Sequence, residues 1–181
     1  MNIYDVIVVG GGHAGCEAAH ASARLGSKTL LITMKIDGIG QMSCNPAIGG
    51  IGKSHLAREV DALDGLMCKA ADDASLQSRV LNSSKGAAVR ATRIQTCRDE
   101  YKKAMQKDIL NHENLTVLQS TVKSVKFSKN RAEGVVIETG DYIKSKCVVL
   151  TAGTFLDGVI HMGEKIFSAG RSGDRLSLIH I

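Results

Sequence analysis

The sequence predicts an α/β protein built on a parallel sheet, and three features of its first 33 residues lead to that prediction. A Val/Ile-rich run at residues 3–9 ends in three glycines, a helical pattern of small and apolar residues covers residues 14–25, and a second apolar run covers residues 28–33. Continuous apolar runs are typical of strands buried in a parallel sheet. The pattern therefore predicts a β-α-β unit with two parallel strands and a right-handed crossover.

A long glycine-rich segment follows this unit. Residues 37–54 contain five glycines and the only proline, Pro46, so we expect an ordered loop and no helix or strand. Loops of this length in compact domains are usually functional. Helical periodicity returns over residues 55–66 and again over residues 87–110, after a polar turn at residues 82–86. We expect a helix at each of these two positions, beside a site.

The pattern changes to short strands after Asn114. Four runs with strand character are joined by polar turns, and they cover residues 115–118, 122–127, 132–138 and 142–144. We expect them to form a small antiparallel insertion at about residues 115–145. A buried strand at residues 147–150 then ends in Thr151, Ala152 and Gly153, and it returns the chain to the parallel sheet.

Composition limits the protein to a few classes. With 181 residues, 44% of them hydrophobic and 23% charged, the chain has the size and balance of one soluble globular domain. No apolar stretch is long enough to cross a bilayer, and the first residues do not form a signal peptide. The formal charge of +5 fits an anionic partner such as nucleic acid, and it fits equally well a basic protein with no such partner.

The cysteines indicate a reduced environment. The five of them are widely spaced, with no Cys-x-x-Cys pair and no Cys/His cluster of metal-ligand spacing. We therefore expect no metal site and a cytoplasmic protein, or a mitochondrial one if the source is organellar. Cys16, Cys68, Cys97 and Cys147 lie within apolar elements, so we expect them to be small buried side chains.

The glycine turn after the first strand carries a nucleotide-binding fingerprint. The pattern G-x-G-x-x-G is matched by Gly10, Gly11, Gly12, His13, Ala14 and Gly15. In this pattern Gly10 permits the tight turn, Gly12 lets the backbone approach a pyrophosphate, and Gly15 lets the helix pack closely on the sheet. The N–H groups at the start of that helix face the anion. These six residues form the predicted cofactor-binding site.

The fingerprint alone does not choose between NAD and FAD. The acidic residue usual at the end of the second strand is missing, since Thr33 and Met34 stand there and Asp37 is only nearby. The Thr-Ala-Gly end of the later strand favours FAD, because it resembles the second glycine-ended signature of flavoproteins in the glutathione-reductase class. The sequence therefore predicts a Rossmann-like FAD-binding domain of that class, with a small antiparallel insertion and with Val122 near the adenine.

A second glycine-rich motif is similar to a phosphate loop without matching it. Residues 49–54 run Gly-Gly-Ile-Gly-Lys-Ser, but Ala47 occupies the position of the first Walker glycine and no buried strand precedes it. We interpret this stretch as backbone folded closely around a flavin or a substrate. Lys53 within it is placed to meet an anion.

A longer block carries a specific resemblance. Residues 41–53, Gln-Met-Ser-Cys-Asn-Pro-Ala-Ile-Gly-Gly-Ile-Gly-Lys, resemble the hallmark of the enzymes that install 5-carboxymethylaminomethyl groups on tRNA uridine, the MnmG or GidA family. Blocks at residues 84–86, 88–93 and 153–158 are similar to further blocks of that family in the same order. Three positions depart from the family pattern, and we interpret them as lineage variation. Ser54 and Asp64 stand where the family has glycine, and Ala87 stands where it has proline.

The resemblance implies an activity and a set of partners. Members of the family use FAD and, with a GTPase partner of the MnmE type, add a carboxymethylaminomethyl or aminomethyl group at the 5-position of the wobble uridine of tRNA. NADH and methylene-tetrahydrofolate are the implied co-substrates. A homodimer that forms a heterotetramer with the GTPase is the implied assembly. The resemblance also implies a catalytic role for Cys44, whose thiolate would attack a pyrimidine ring or a flavin-bound carbon.

Other interpretations stay open on the residues alone. They are a folate- and FAD-dependent tRNA uridine methyltransferase, whose related fingerprint lacks the Ser-Cys-Asn-Pro block at residues 43–46, a general FAD oxidoreductase, and a non-catalytic FAD-binding fragment. A lone loop cysteine is often structural, and His13 is either a turn residue or a group that transfers protons. Five basic residues flank the predicted site, and the alternatives for them are contact with FAD phosphates, contact with a tRNA backbone, or exposure to solvent alone. They are Lys53, Arg58, Lys85, Arg90 and Arg93.

The C-terminal residues differ from the rest of the chain. Residues 170–174 still follow the family, whereas residues 176–181 match the translated end of a library transposon. We therefore expect an incomplete FAD-binding domain at residues 1–174 and a non-native tail at residues 175–181. The family's nicotinamide-binding insertion, a second catalytic cysteine and a partner-binding tail would lie downstream. We thus expect the chain alone to be inactive and to bind FAD weakly.

Overall fold

A computed structural model of the protein describes residues 3–153 and 156–168. The described strands, numbered along the chain, are β1 (Tyr4–Val9), β2 (Thr29–Thr33), β3 (Ala47–Gly49), β4 (Ser75–Leu81), β5 (Ala91–Thr96), β6 (Leu115–Gln119), β7 (Val122–Ser128), β8 (Arg131–Ile137), β9 (Tyr142–Leu150), β10 (Val159–Met162) and β11 (Lys165–Ser168). The described α-helices are α1 (His13–Arg24), α2 (Ser54–Ala62), α3 (Leu66–Asp73) and α4 (Arg98–Leu110). Short 3₁₀ helices cover Ile36–Gly38 and Ala87–Val89. The predicted non-native tail lies outside the described residues.

The main sheet has six strands in the order β6-β2-β1-β9-β8-β7. Strand β1 lies at its centre and pairs in parallel with both neighbours, so that Ile7 is opposite Leu30 of β2 and Val148 of β9. Helix α1 connects β1 to β2 as the predicted crossover. The predicted α/β class, with a parallel sheet and a small antiparallel part, is therefore confirmed.

The antiparallel insertion starts one strand later than expected. The run at residues 115–118 becomes β6, which pairs in parallel with β2 and places Leu31 opposite Val117. Its expected place in the insertion was wrong, because a short strand with half-buried residues gives the same pattern at the edge of either kind of sheet. The insertion proper is β7, β8 and the first part of β9.

Strand β9 serves both parts of the main sheet. The two strands expected at residues 142–144 and 147–150 are one continuous strand of nine residues. Its first residues pair antiparallel with β8, as Tyr142 does with Val136, and its later residues pair in parallel with β1, as Cys147 does with Val6. The small insertion is therefore held in the main sheet by the same strand that pairs in parallel with β1.

A second sheet of three strands, in the order β3-β5-β4, occupies a region where we expected a loop and a helix. Residues 37–54 include the short strand β3, and the helix expected at residues 87–110 begins only at Arg98. The preceding segment, β5, has β-branched residues at Thr92, Ile94 and Thr96. Such residues favour strands when they alternate along one face, and this period of two overrides the weaker helical pattern.

The helix expected at residues 55–66 is α2 and ends earlier, at Ala62, because the chain turns at residues 63–65. A further helix that we did not expect, α3, begins at Leu66. Asp64 adopts a φ of +67°, in the left-handed region that favours glycine. The carboxylate of Glu17 in α1 then accepts hydrogen bonds from the backbone N–H groups of Leu66, at 3.0 Å, and Met67, at 2.6 Å. A residue distant in sequence thus caps the start of α3. No helix among residues 3–153 and 156–168 has the length and apolar character needed to cross a membrane.

Two groups of buried side chains lie on opposite faces of the main sheet. Val8 of β1 packs with α1, α3 and α4, whereas its neighbours Ile7 and Val9 pack with Val122 and Val135 of the insertion. Successive side chains of a strand point to opposite faces, so the continuous apolar run of β1 supplies both groups. The insertion therefore covers the face that the helices leave free.

Helix α1 packs unusually close to the sheet at Gly15. A Cβ atom added to Gly15 would overlap the carbonyl oxygen of Gly10, and it would lie 2.8 Å from the Thr151 hydroxyl oxygen. No side chain fits at this position. This close packing is the reason why the fingerprint requires a glycine there.

Replacing Gly15 by alanine is therefore expected to lower the free energy of unfolding by about 2–3 kcal/mol, because the helix must move away from the turn. Gly86→Ala is the matched control, since a Cβ built on Gly86 meets nothing within 4 Å. That change should stay within about 0.5 kcal/mol of the parent. Urea denaturation of both variants measures the difference, and equal stabilities would show that the close approach does not constrain the fold.

Candidate functional site

The carboxyl ends of β1 and β9 meet at the glycine turn. Gly10 has a φ of +111° and its N–H donates to the carbonyl of Ile32 over 2.8 Å. The hydroxyl of Thr151, just after β9, lies 2.8 Å from the Val9 carbonyl oxygen and 3.0 Å from that of Gly10 and donates to them. The end of β9 thus fixes the turn from which α1 begins.

The N-terminus of α1 is open toward ligand. Gly12 is the residue before the helix, its position is exposed, and a Cβ built on it meets no protein atom within 4 Å. No side chain caps the first turn, and that turn contains no acidic residue. Its N–H groups and the positive end of the helix dipole therefore face a free space of the right kind for a phosphate group. The structure brings the six fingerprint residues together as expected, and their binding role stays a prediction.

The end of β2 presents no free acidic group. Thr33 packs against Gly11, since the Thr33 Cβ would lie 2.8 Å from a Cβ added there. The carboxylate of Asp37 lies 2.6 Å from the ammonium group of Lys102 in α4, although its side chain is 90% exposed. Asp37 therefore pairs at the surface with α4, beside the end of β2.

Val122, expected near an adenine, begins strand β7 beside the end of β6. Its side chain is buried with Ile7 and Val135. The strand lies near the carboxyl end of β2, because the N–H of Ser120 donates to the carbonyl of Thr33 over 2.9 Å. Only the backbone of Val122 is available for a ligand, and this role stays a prediction.

A second part of the site is an open pocket of about 410 Å³ next to the start of α1. Its walls come from the loop at residues 42–53, helix α2, His13 at the start of α1 and Met67 of α3. We refer to residues 42–53 as the Cys44 loop. The pocket is lined by His13, Met42, Ser43, Cys44, Asn45, Ala47, Ile48, Gly49, Gly52, Lys53, Leu56, Ala57, Val60 and Met67. Cys44 is exposed on this wall with a free thiol.

The Cys44 loop is fastened to strand β5 and to the start of α4. The N–H of Thr96 donates to the carbonyl of Pro46 over 2.8 Å, and the N–H of Gly50 donates to that of Thr92 over 2.9 Å. The guanidinium group of Arg98 donates to the carbonyl of Cys44 itself. These bonds hold the backbone around Cys44 while its side chain stays exposed. The sequence did not reveal Arg98, because the helix expected from residue 87 placed it in mid-helix.

His13 lies between the two parts of the site. Its ring stacks at 5.7 Å and 31° on the buried ring of Tyr101, and its Nε2 atom is buried without a hydrogen-bond partner among the described residues. Burial lowers the pKa of His13, and the carboxylate of Glu17 opposes that shift only in part. The imidazole is therefore neutral near pH 7 and has a nitrogen free to accept a proton. His13 is a pocket residue and not only part of a turn.

The other basic and cysteine residues have varied surroundings. Arg58 donates to the hydroxyl of Thr92 over 3.0 Å and Lys53 lines the pocket, so both lie beside the site. Cys16 is buried and its pKa is raised to about 12 by burial, which makes it an inert thiol. Cys147 is exposed in the described chain, so our expectation that it is buried was wrong. It lies within β9, opposite Val6, and its thiol donates to the carbonyl of Asp5 over 3.5 Å.

Comparison with known proteins gives one consistent family. The family model for glucose inhibited division protein A matches residues 5–178. Structures of GidA from Aquifex aeolicus in two crystal forms are 47% identical to this chain, with TM-scores of 0.93 and 0.94. The matches cover 97% and 98% of this chain and 29% and 30% of the GidA chain. The chain therefore spans less than a third of the length of these relatives.

More distant structures share the fold alone. A GidA-related protein from Thermus thermophilus is 19% identical, with a TM-score of 0.64 over 98% of this chain and 65% of its own. A probable FAD-dependent monooxygenase from Pseudomonas aeruginosa is 17% identical, with a TM-score of 0.59 over 84% of this chain and 43% of its own. Both place the glycine turn and its sheet in a widely used architecture.

The neutral state of His13 predicts a pH dependence of stability. Because its pKa in the folded protein is below the ordinary value of 6.5, the unfolded chain takes up the proton first as pH falls. The His13 contribution is complete above about pH 6.5 and is lost as the pH falls below it, down to the folded-state pKa. In His13→Gln, the fall in free energy of unfolding between about pH 7.5 and about pH 5.5 should be smaller than in the parent. Urea denaturation at several pH values measures it.

The comparison uses slopes, because glutamine also loses the ring contact with Tyr101. Between about pH 7.5 and about pH 8.5 the two proteins should give parallel profiles, and this range serves as the internal control. Identical slopes in the acidic range as well would mean that His13 is not held neutral by the fold.

Proposed function

Because the chain belongs to the family of glucose inhibited division protein A, we propose that it forms the FAD-binding part of an enzyme that modifies tRNA. The family assignment rests on a match over residues 5–178 and on 47% identity to the Aquifex protein. The sequence resemblance to this family is thereby confirmed. The observation that carries the proposal is a glycine turn open to a dinucleotide directly beside a pocket with an exposed cysteine.

The residues present fit an FAD molecule. The space at Gly12 and the uncapped N–H groups of α1 suit the pyrophosphate, and Gly10 and Gly15 keep the turn tight beneath it. The insertion β7-β8-β9 and the Thr151 contact to the turn are the features that favour FAD over NAD. When bound, FAD would supply redox chemistry at its flavin ring.

The pocket residues supply the remaining chemistry that this chain contributes. Cys44 provides a thiol whose thiolate adds to a carbon of the pyrimidine ring of a uridine, and His13 provides a neutral nitrogen that accepts a proton in the same pocket. Arg98 keeps the backbone of Cys44 in place through its carbonyl. The proposed product carries a carboxymethylaminomethyl or aminomethyl group at the 5-position of the wobble uridine.

The proposed assembly includes components that this chain does not contain. A GTPase partner of the MnmE type, NADH and methylene-tetrahydrofolate act together with the full enzyme, which is a homodimer. We propose that the 181-residue chain by itself binds FAD weakly and does not turn over. The pocket at Cys44 is open, and reacting groups that are not enclosed together lose the rate gain of a fixed geometry.

A direct test of the cofactor site is titration of FAD into the purified chain with Gly12 replaced by valine. The change fills the space beside the first turn of α1, so we expect FAD to bind at least about tenfold more weakly, with little change in thermal unfolding. Gly86→Val, at another open glycine, is the control and should bind FAD as the parent does. An unchanged affinity of Gly12→Val for FAD would show that the pyrophosphate does not bind at this turn.

A test of the reaction requires the intact gene. In cells whose only copy carries Cys44→Ser, mass spectrometry of tRNA nucleosides should show the wobble modification reduced by roughly a hundredfold or more, since serine is a far weaker nucleophile. The variant should keep the flavin absorbance of the parent. Cys68→Ser, at a half-buried cysteine outside the pocket, is the matched control. A normal modification profile in Cys44→Ser would contradict the proposed role, and a normal profile in a gene deletion would contradict the proposed function.

A further inference from the structure

The net positive charge of the chain is concentrated in one segment. Residues 74–98, here called the basic hairpin, contain five basic residues and no Asp or Glu. The chain has 23 Lys and Arg in total, so the remaining 18 are matched by its 18 Asp and Glu. The basic hairpin comprises β4, β5 and their connection, and ends at the first residue of α4. Its positive residues are Arg79, Lys85, Arg90, Arg93 and Arg98.

Two of these arginines lie directly opposite each other. In the antiparallel pair β4 and β5, Arg79 is in register with Arg93, and the next position across the sheet is Gly49 of β3. Side chains opposite each other in such a pair share one face, with Cβ atoms about 5 Å apart. Like charges in this arrangement destabilise the sheet unless a negative group lies between them.

The described residues provide no negative group for this pair. Within residues 3–153 and 156–168, Arg24, Lys69, Lys102, Lys103 and Lys146 form ion pairs with acidic side chains, and none of these five residues is in the basic hairpin. Arg90 and Arg98 instead donate to the backbone carbonyls of Ser83 and Cys44. The backbones of Arg79 and Arg93 pair within the sheet, but their guanidinium groups make no hydrogen bond or ion pair to any described residue.

The arginine pair faces away from the core. The neighbouring row of the same sheet consists of Ile48, Ile94 and Ser78, and both isoleucines pack against the main buried group. Because alternate rows point to opposite faces, the row of Arg79, Arg93 and Gly49 points outward. Arg79 is exposed and Arg93 half-buried. A Cβ built on Gly49 would overlap the carbonyl oxygen of Thr92, so β3 lies close to β5 at this row and adds no side chain beside the two arginines.

We propose that Arg79 and Arg93 bind a phosphodiester group of an RNA strand, with Lys85 at the tip of the basic hairpin as a further contact. The planar fork of a guanidinium group suits two oxygens of one phosphate, and two such groups side by side suit a continuous backbone. This inference rests on the proposed function and identifies the surface that holds the RNA backbone.

The chemistry of the surface favours RNA backbone over a membrane. On one side of the arginines the outward row consists of Gln77, Gln95 and Ala47, which offers hydrogen bonds and one methyl group too short to insert into lipid. On the other side, Leu81 is half-buried and Ala91 is buried. The chain has 3% aromatic residues, so stacking on bases contributes little. Contacts of this kind position the strand without reading its sequence. Binding at this surface therefore depends on salt and little on base sequence.

The test measures binding of a fluorescein-labelled tRNA anticodon stem-loop by anisotropy, in salt from about 50 to about 200 mM. Arg79→Gln and Arg93→Gln should each weaken binding roughly three- to tenfold at low salt. The double variant should lower the slope of log Kd against log salt by about 1–2, as expected for the loss of two phosphate contacts. Arg131→Gln is the matched control, because Arg131 is an exposed arginine on the other sheet, and it should bind as the parent does. FAD binding should be unchanged in all variants, and thermal unfolding of Arg79→Gln and Arg93→Gln should occur at the temperature of the parent or slightly above it, because one of two like charges is removed.

Several results would overturn the inference. They are equal salt slopes in the parent and the double variant, an equal loss in Arg131→Gln, an absence of RNA binding by the parent at low salt, and tighter binding of the parent to phosphatidylserine vesicles. The proposed function fails separately. Suppose that modification of the wobble uridine requires Cys44, as proposed, but the arginine variants bind RNA as the parent does. In that case the inference alone is wrong. If deletion of the gene leaves the modification pattern of tRNA unchanged while the arginine variants lose RNA binding, the proposed function alone is wrong.

Discussion

The contact between Gly15 and the carbonyl of Gly10 is the constraint on which the rest of the site depends. It sets the distance between α1 and the central strand, so the first turn of the helix begins directly above the ends of β1 and β9. The hydroxyl of Thr151 reaches the same turn and therefore links the last strand of the main sheet to it. The position of His13 follows from this geometry, because it is the first residue of the helix that Gly15 holds close to the sheet. The ring of His13 therefore contacts Tyr101 and forms part of the pocket wall.

Strand β5 has a comparable role for the second part of the site. One of its faces supplies Ile94 to the core, its backbone receives the Cys44 loop through Thr92 and Thr96, and its outward row carries Arg93. The reactive loop and the basic surface are therefore built on a single short strand. A uridine in the pocket and a backbone phosphate on the hairpin would be held by the same six residues of rigid structure.

The sequence predicted the part of the molecule whose signals are local. In the segment from β1 to β2, the strands are continuous apolar runs and the helix has a helical period. These two patterns are easily told apart, so each element could be predicted. Strand β5 was missed because its alternation at Thr92, Ile94 and Thr96 lies within a longer helical pattern, and β4 is exposed along most of its length. Two contacts join residues about 50 positions apart in the sequence, and these are the cap that Glu17 gives to α3 and the bond from Arg98 to Cys44. A local sequence pattern contains no information about contacts at such a separation. The Cys44 loop was identified by its resemblance to a family and not by periodicity.

The double pairing of β9 also determines when the main sheet is completed during synthesis. Strand β1 is made among the first residues, yet one of its two edges stays without a neighbour until residues 145–150 emerge. At a translation rate of about 5–20 residues per second, this edge waits for roughly ten to thirty seconds. An apolar strand with an unpaired edge is a template for pairing with other chains. The order of the strands therefore leaves one edge of β1 open to such pairing until β9 is made.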